Sequence, residues 1–261
     1  MTLGPWSLAS GPGRAIGSVL LLFVASVVYG SVSALVLGDA AHTQAGLLAG
    51  LVLQEVAVVG GLTLLFLHAA GRDLRFALGC AERPGRWAIA VLLGAPAFVV
   101  LQAPVLQAWS EAIGAVEPRW YSVALGIHSP LQGLMVALGV VVAPAVFEEL
   151  AFRGYLLREL LPVGPARAVA LQAVLFGLYH ADLFGAPIYL AAGALLGVIR
   201  LRSGALWPAI VFHAINNGLG VLDWNLGSDH AWKPGGGLLG AAALAAAASV
   251  AVLRPSRTPP T

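Results

Sequence analysis

Residues 130–161 read PLQGLMVALGVVVAPAVFEELAFRGYLLRELL, an apolar run that leads directly into a stretch rich in glutamate and arginine. A helix needs about 20 apolar residues to cross the hydrocarbon core of a bilayer. The run from 130 to 150 meets that length, and its helical pattern continues to about Leu161. The stretch therefore predicts a membrane-spanning helix that carries ionisable side chains at depth, where they are costly unless they face an interior or a wet cavity.

Seven further stretches have a comparable apolar character, and together they predict an all-α fold, a polytopic membrane helix bundle of about eight transmembrane helices. The composition agrees, because 59% of the residues are hydrophobic, only 10% are charged and the mean hydropathy is +0.88. A soluble domain carries about 25% charged residues. The predicted spans are 15–38, 44–70, 87–109, 130–150, 166–182, 186–201, 205–222 and 236–253.

The segments outside the spans carry weaker patterns. The run 15–38 is longer than the apolar core of a signal peptide, so it is interpreted as a retained membrane helix. The stretch 71–86 (GRDLRFALGCAERPGR) fits either a surface-lying amphipathic helix or a cytoplasmic loop. The tail from Arg254 (RPSRTPPT) is predicted to be a disordered polar end.

The cations predict the orientation of the bundle in the membrane. Cytoplasmic segments of membrane proteins carry an excess of arginine and lysine. With eight spans and the N-terminus inside, only Arg119 and Lys233 of the 14 cations fall outside. Both termini are therefore predicted to be cytoplasmic, in what we expect to be a bacterial inner membrane. The inside cations are Arg14, Arg72, Arg75, Arg83, Arg86, Arg153, Arg158, Arg167, Arg200, Arg202, Arg254 and Arg257.

Other partners and sites are disfavoured by the composition. The net charge of +2 and the absence of a basic cluster beside exposed aromatics argue against nucleic acid. The single cysteine, Cys80, excludes an internal disulfide or a multi-cysteine metal site. We divide the chain into three N-terminal spans (1–129), a core of four spans that carries the polar motifs (130–222), and a last span with its tail (223–261).

The first polar motif, FEELAFR, separates two glutamates by helical geometry. Glu149 and Arg153 are four residues apart on one helix face, which suits a structural ion pair. Glu148 is rotated away from Arg153 by about 140° at 3.6 residues per turn. Glu148 therefore projects elsewhere, without an arginine to neutralise it.

The second and third motifs lie on other predicted helices. In FGLYH, Phe176 and His180 share a face, and in FHAINN, His213 and Asn217 do the same. Glu148 precedes the turn predicted at 161–166 by about as many residues as His180 follows it, so both lie about 20 Å from that turn. Three helices are thus predicted to bring a carboxylate, two imidazoles and an amide to one level of the bilayer.

This set of groups suits water attack on an amide, and two mechanisms remain open at this point. A glutamate removed from water becomes a usable base near neutral pH, and a His/Asn pair can donate hydrogen bonds to a developing oxyanion. Alternatively, Glu148, His180 and His213 could bind zinc and leave one position open for water. The zinc-peptidase spacing HExxH is absent, and no serine or cysteine nucleophile has a partner.

The three motifs resemble a known family. EELAFR, FGLYH and HAINN are similar to the EExxxR, FxxxH and HxxxN motifs of the CAAX-protease and bacteriocin-processing (CPBP, or Abi) family of intramembrane endopeptidases, over about 130–222 and in the same order. The resemblance implies an eight-span helical core with a conical cavity that opens to the cytosol.

The resemblance also implies the roles of the site residues and the partners. Glu148 would be the base, His180 would lie beside the water, and His213 with Asn217 would stabilise the oxyanion. Glu149, Arg153 and Phe176 would support them. No metal cofactor is implied, and the substrate would be a membrane-associated protein or peptide within the lipid bilayer.

Two functions of other classes remain alternatives. A non-proteolytic membrane scaffold or immunity-type protein would keep the motifs for helix packing. A transporter would use Glu148 and the histidines as a proton relay. The absence of an internal repeat in the sequence argues against the transporter.

Overall fold

The structure is a computed structural model that describes residues 10–81, 84–114, 117–227 and 234–252. Within these ranges the fold is all-α, as predicted, and the extended backbone is limited to one isolated bridge between Gly79 and Ala205. Ten helices follow one another: α1 Gly11–His42, α2 Gln44–Ala69, α3 Leu74–Leu78, α4 Pro84–Ile113, α5 Trp120–Ala124, α6 Pro130–Val163, α7 Pro165–His180, α8 Ala186–Ser203, α9 Trp207–Leu226 and α10 Gly236–Val252.

Each of the eight long helices coincides with one predicted span within a few residues at either end, except that α6 continues past 150 to Val163, close to the predicted helix end at about Leu161. Among the described residues, five helices are long and apolar enough to cross a membrane: α1, α2, α4, α6 and α8. Helix α7 has 16 residues, which is about 24 Å, and α9 carries the polar residues of the third motif. Helix α10 is apolar but has 17 residues. The membrane bundle is thus confirmed, whereas eight crossings stay a prediction.

The sequence made predictions for two of the connections between the helices, 161–166 and 71–86. The turn predicted at 161–166 is present, because Gly164 adopts φ +99°, a conformation that L side chains rarely adopt. The stretch 71–86 contains a short helix, α3, whose N-terminus is capped by Asp73. The tail from Arg254, together with Arg83 and Lys233, lies outside the described residues.

Helix α6 passes through the centre of the bundle. From Leu150 to Leu157 its side chains are all buried, and Phe152 and Leu157 are fully so. The helix also contains two π-helical turns, Ala137–Val142 and Leu150–Leu156, on either side of the paired glutamates. Such wider turns recur at functional sites, because the extra residue re-aims the side chains that follow.

One end of the bundle, here called the arginine end, gathers the cations around Glu159 of α6. Glu159 accepts hydrogen bonds from Arg14 of α1 at 3.0 Å and from Arg72 at 3.1 Å. Arg158 stacks over the ring of Phe76 in α3 with 4.1 Å to the ring centre. Arg200, at the end of α8, donates to the Ala77 carbonyl oxygen at 3.0 Å. Four of the predicted cytoplasmic cations therefore group at one end, and the cytoplasmic placement of that end stays a prediction: Arg14, Arg72, Arg158 and Arg200.

Arg153 departs from this grouping. It was counted with the cytoplasmic cations, but the structure places it fully buried in the core, bonded to Glu149. A salt bridge inside the protein accounts for this arginine without any contribution from the membrane surface.

Candidate active site

Glu148 lies in the middle of α6 and faces two histidines from other helices. Its side chain is 8% exposed, and its Oε2 lies 3.9 Å from Nε2 of His180 and 4.0 Å from Nε2 of His213. Among the described residues this oxygen has no hydrogen-bond partner. A buried polar atom is normally hydrogen-bonded in a folded protein, so an exception points to a functional role.

His180 ends α7 and is held on two sides. Its Nδ1 lies 2.9 Å from the Phe176 carbonyl oxygen, which places the proton on Nδ1 and leaves Nε2 as the acceptor toward Glu148. Its ring stacks on Tyr189 of α8, with 3.9 Å between the ring centres. Ala181 follows at φ +47°, the one non-glycine residue with positive φ among those described. This strained residue turns the chain away immediately after the histidine.

The Tyr189 ring is itself fixed by hydrogen bonds at the end of the bundle opposite the arginines. Its hydroxyl donates to Asp182 at 3.0 Å and lies 3.2 Å from the hydroxyl of Tyr121 in α5. Burial raises the pKa of Tyr121 to about 12, so this hydroxyl keeps its proton at neutral pH. The sequence reasoning assigned no role to Asp182, although it follows His180 by two residues, and it missed Tyr189, whose contact with His180 depends on how α7 packs against α8.

Glu149 makes the ion pair that the sequence predicted and one further contact. Its Oε1 lies 2.7 Å from Nη1 of Arg153, and both side chains are fully buried. The same oxygen lies 2.9 Å from Nδ1 of His213. Glu149 therefore accepts a hydrogen bond from the His213 imidazole and orients its ring, as the carboxylate of a catalytic triad orients its histidine.

Phe176 supports the site by packing. Its ring lies 5.1 Å from that of Phe152 and 4.6 Å from that of His180. The Arg153 guanidinium stacks over it with 4.2 Å to the ring centre. Phe176 thus separates the buried ion pair from the histidine of its own helix.

Asn217 connects α9 to α6. Its amide nitrogen donates to the Val140 carbonyl oxygen at 2.9 Å, within the first π-helical turn. Its carbonyl oxygen accepts a 3.3 Å hydrogen bond from Asn216. A side-chain amide has two N–H groups, so one remains for a ligand. Asn216 therefore contributes a contact to the amide of Asn217.

A cavity of about 640 Å³ contains these groups, and its lining includes Glu148, His180, His213 and Asn217. It also includes Glu55 of α2, which the sequence reasoning missed. Glu55 is 5% exposed, and its Oε2 has no hydrogen-bond partner among the described residues. The sequence did indicate this residue, because Glu55 is the only Asp, Glu, Lys or Arg in the predicted span 44–70. An ionisable side chain within a membrane span is costly unless it faces an interior or a wet cavity, and this argument, which identified the motif residues, applies equally to Glu55.

The alternative zinc ligands do not fit a metal as they are placed. Adjacent ligand atoms of a tetrahedral zinc site lie about 3.4 Å apart for bonds near 2.0–2.1 Å, whereas Glu148 Oε2 is 3.9 and 4.0 Å from the two histidine nitrogens. Within the part of the chain that the structure describes, no group of three His, Cys, Asp or Glu residues is arranged to hold a metal ion. We therefore derive no step through zinc.

Comparison with known proteins agrees with the motifs. Residues 130–219 match the family described as "Type II CAAX prenyl endopeptidase Rce1-like". None of the curated proteins and none of the solved structures matches the chain. The matched segment contains α6, α7 and α8 and the part of α9 that carries His213 and Asn217. The match over residues 130–219 therefore supports the assignment of this membrane protein to the Rce1-like family of CAAX-type proteases.

Proposed function

We propose that this protein is an intramembrane endopeptidase that hydrolyses peptide bonds of a membrane-associated substrate, with Glu148 as the base that activates water. The observation that carries the proposal is the Glu148 carboxylate oxygen. It is buried, has no hydrogen-bond partner among the described residues and faces the Nε2 atoms of His180 and His213 at 3.9 and 4.0 Å. These distances are too long for direct hydrogen bonds and suit contacts bridged by water.

In the first step, Glu148 takes a proton from a water molecule while the water oxygen attacks the substrate carbonyl carbon. His180 holds that water through Nε2, which its Nδ1–H bond to Phe176 leaves as an acceptor. The carbonyl π bond becomes the lone pair of a tetrahedral oxyanion. A positioned base contributes about 10²–10⁴-fold to the rate of such a step.

The oxyanion is stabilised by hydrogen-bond donors, and the candidate donors lie on α9. His213 donates from Nε2 in its imidazolium form, and the Glu149 carboxylate, 2.9 Å from its Nδ1, accepts the other ring proton and orients the ring. Asn217 adds its second amide proton. The intermediate then collapses, the carbon–nitrogen bond breaks, and the proton held by Glu148 passes to the leaving amine.

The proposal is tested by sequencing the new N-termini in membranes of cells that produce the wild type or Glu148→Gln. Glu159→Gln is the matched control, because it changes the same residue type on the same helix at the arginine end. We expect N-termini that are present with the wild type and Glu159→Gln and absent with Glu148→Gln. Identical sets of N-termini in all three strains would contradict the proposed protease function and favour a non-proteolytic scaffold.

A further inference from the structure

The arginine end contains two guanidinium groups that are withdrawn from water without a carboxylate beside them. Arg200 of α8 is 3% exposed, and its Nε has no hydrogen-bond partner among the described residues. Arg158 of α6 is part-buried and stacks on Phe76. Neither arginine forms an ion pair with a carboxylate in the part of the chain that the structure describes. A buried charge is costly unless it is paired, so these two groups are suited to bind an anion.

The neighbouring carboxylate, Glu159, is already used by other arginines. One of its oxygens is bonded to Arg14 and the other to Arg72. Glu159 also attracts Arg158, but Arg158 lies close enough to Arg72 and Arg200 for the like charges to repel one another. The positive charge at this end therefore exceeds what Glu159 neutralises.

The short helix α3 holds the Arg200 side chain in place. Nη2 of Arg200 donates to the Ala77 carbonyl oxygen at 3.0 Å. A Cβ atom at Gly79 would clash with the Gly204 carbonyl oxygen and come within 3.1 Å of Nη2 of Arg200, so α3 and the end of α8 are in close contact. The guanidinium is thus fixed before any ligand binds, which lowers the entropy cost of binding.

Helix α3 also exposes an apolar face. Leu74 and Leu78 are 46% and 42% exposed and lie four residues apart on one face of the helix. A short segment that combines exposed leucines with arginines suits the boundary between lipid headgroups and acyl chains. A phosphate group beside Arg158 and Arg200 could therefore belong to a lipid whose acyl chains contact these leucines.

We propose that Arg158 and Arg200 form a binding site for a phosphate group, carried by the headgroup of an anionic phospholipid or present as free phosphate. Guanidinium groups donate paired hydrogen bonds to phosphate oxygens, and basic pockets between membrane helices bind anionic headgroups. The exposed leucines of α3 favour the lipid as the source. Neither arginine belongs to the described lining of the cavity around Glu148, so this site goes beyond the proposed protease function and does not depend on it.

The first test measures lipid binding by native mass spectrometry on purified protein. Dioleoylphosphatidylglycerol is compared with dioleoylphosphatidylcholine, which has the same acyl chains and a phosphate group but no net charge. We expect the first phosphatidylglycerol to bind about tenfold or more tightly than the first phosphatidylcholine, because each arginine near an anionic headgroup contributes about fivefold. Equal binding of the two lipids, with no binding of inorganic phosphate in the assay below, would overturn the proposal.

The second test assigns the binding to particular arginines. Arg158→Gln should weaken phosphatidylglycerol binding by about fivefold. Arg202→Gln is the matched control, because Arg202 is exposed at the same end and follows Arg200 by two residues on α8; it should leave binding nearly unchanged. Arg200→Gln should weaken binding as well, but it also removes the bond to Ala77 and could impair folding, so the result with Arg158→Gln decides. An equal loss in Arg158→Gln and Arg202→Gln would indicate only diffuse surface charge and would overturn the proposal.

The third test separates the two sources of phosphate. The thermal unfolding midpoint in detergent is measured with phosphatidylglycerol and with inorganic phosphate, for the wild type and Arg158→Gln. Binding at the site should raise the wild-type midpoint by about 2–4 °C and raise that of Arg158→Gln less. A rise with the lipid alone identifies a headgroup site, and a rise with inorganic phosphate identifies a site for the free anion. No rise with either ligand, or equal rises in the wild type and Arg158→Gln, would overturn the proposal.

Discussion

Two glutamates on the same helix, Glu148 and Glu159, are both buried, but their carboxylates differ in the hydrogen-bond partners that surround them. Their side chains are 8% and 1% exposed. Both oxygens of Glu159 are bonded to arginines, at 3.0 and 3.1 Å. In contrast, Oε2 of Glu148 has no hydrogen-bond partner among the described residues, and its nearest basic atoms are 3.9 and 4.0 Å away.

The difference shows that burial alone does not identify a reactive group. A carboxylate whose two oxygens are paired is a structural element that joins α6 to neighbouring segments. A carboxylate that is buried with an oxygen lacking such partners can use that oxygen to accept a proton from water. The contrast between paired and unpaired carboxylates therefore predicts separate effects of mutations on activity and on stability.

The largest effect is expected from Glu148→Gln in purified protein. The amide keeps the shape of the side chain but cannot accept the proton from water, so kcat/KM for a cleaved peptide should fall by about 10²–10⁴-fold. The thermal unfolding midpoint in detergent should stay near that of the wild type. A variant that lost stability together with activity would show that Glu148 supports the fold as Glu149 does, and the comparison would fail.

Glu149→Gln should mainly destabilise the protein. It leaves the fully buried Arg153 without its charged partner, and breaking a buried pair in this way costs about 3–5 kcal/mol. The expected result is a clear drop of the unfolding midpoint and of the folded yield. Cleavage by the remaining folded protein should also fall, because His213 loses the carboxylate that orients it. An unchanged midpoint would contradict the assignment.

Glu159→Gln should have a small effect. Its partners Arg14 and Arg72 have side chains that are 35% and 44% exposed, so water solvates them when the glutamate is removed. Ion pairs of this kind contribute up to about 1 kcal/mol. We expect a small decrease in the unfolding midpoint and wild-type cleavage per folded molecule. A large loss of cleavage would show that the ion pairs of Glu159 affect the arrangement of the side chains in the cavity.

Removal of metal should have no effect on cleavage. The purified protein is dialysed against a chelator, zinc is quantified, and the peptide assay is repeated with and without added zinc. Activity that disappears on stripping and returns with stoichiometric zinc would mean that Glu148, His180 and His213 move together to bind the ion. The protease function would remain, but Glu148 would be a ligand instead of the base.

Much of this molecule followed from local patterns. Each apolar stretch became a helix, and the spacing of Glu149 and Arg153 produced the predicted ion pair. The turn around Gly164 also lies where the pattern put it. These features depend on residues close in sequence, since hydropathy and the 3.6-residue repeat are local properties. Glu55 is an exception to this agreement. A single ionisable residue within an apolar span is an equally clear pattern, but Glu55 was not predicted to belong to the site.

What the amino-acid sequence determined by itself is therefore the membrane class, the positions of the long helices and the motif residues that meet at Glu148. Only the tertiary structure decided that Glu149 also binds His213, 64 residues away, and that Tyr189 stacks on His180. It also decided that Glu55 of α2 lines the same cavity as Glu148. These features arise where helices from distant parts of the chain pack together, and the periodicity within one helix does not specify which face of another helix it meets.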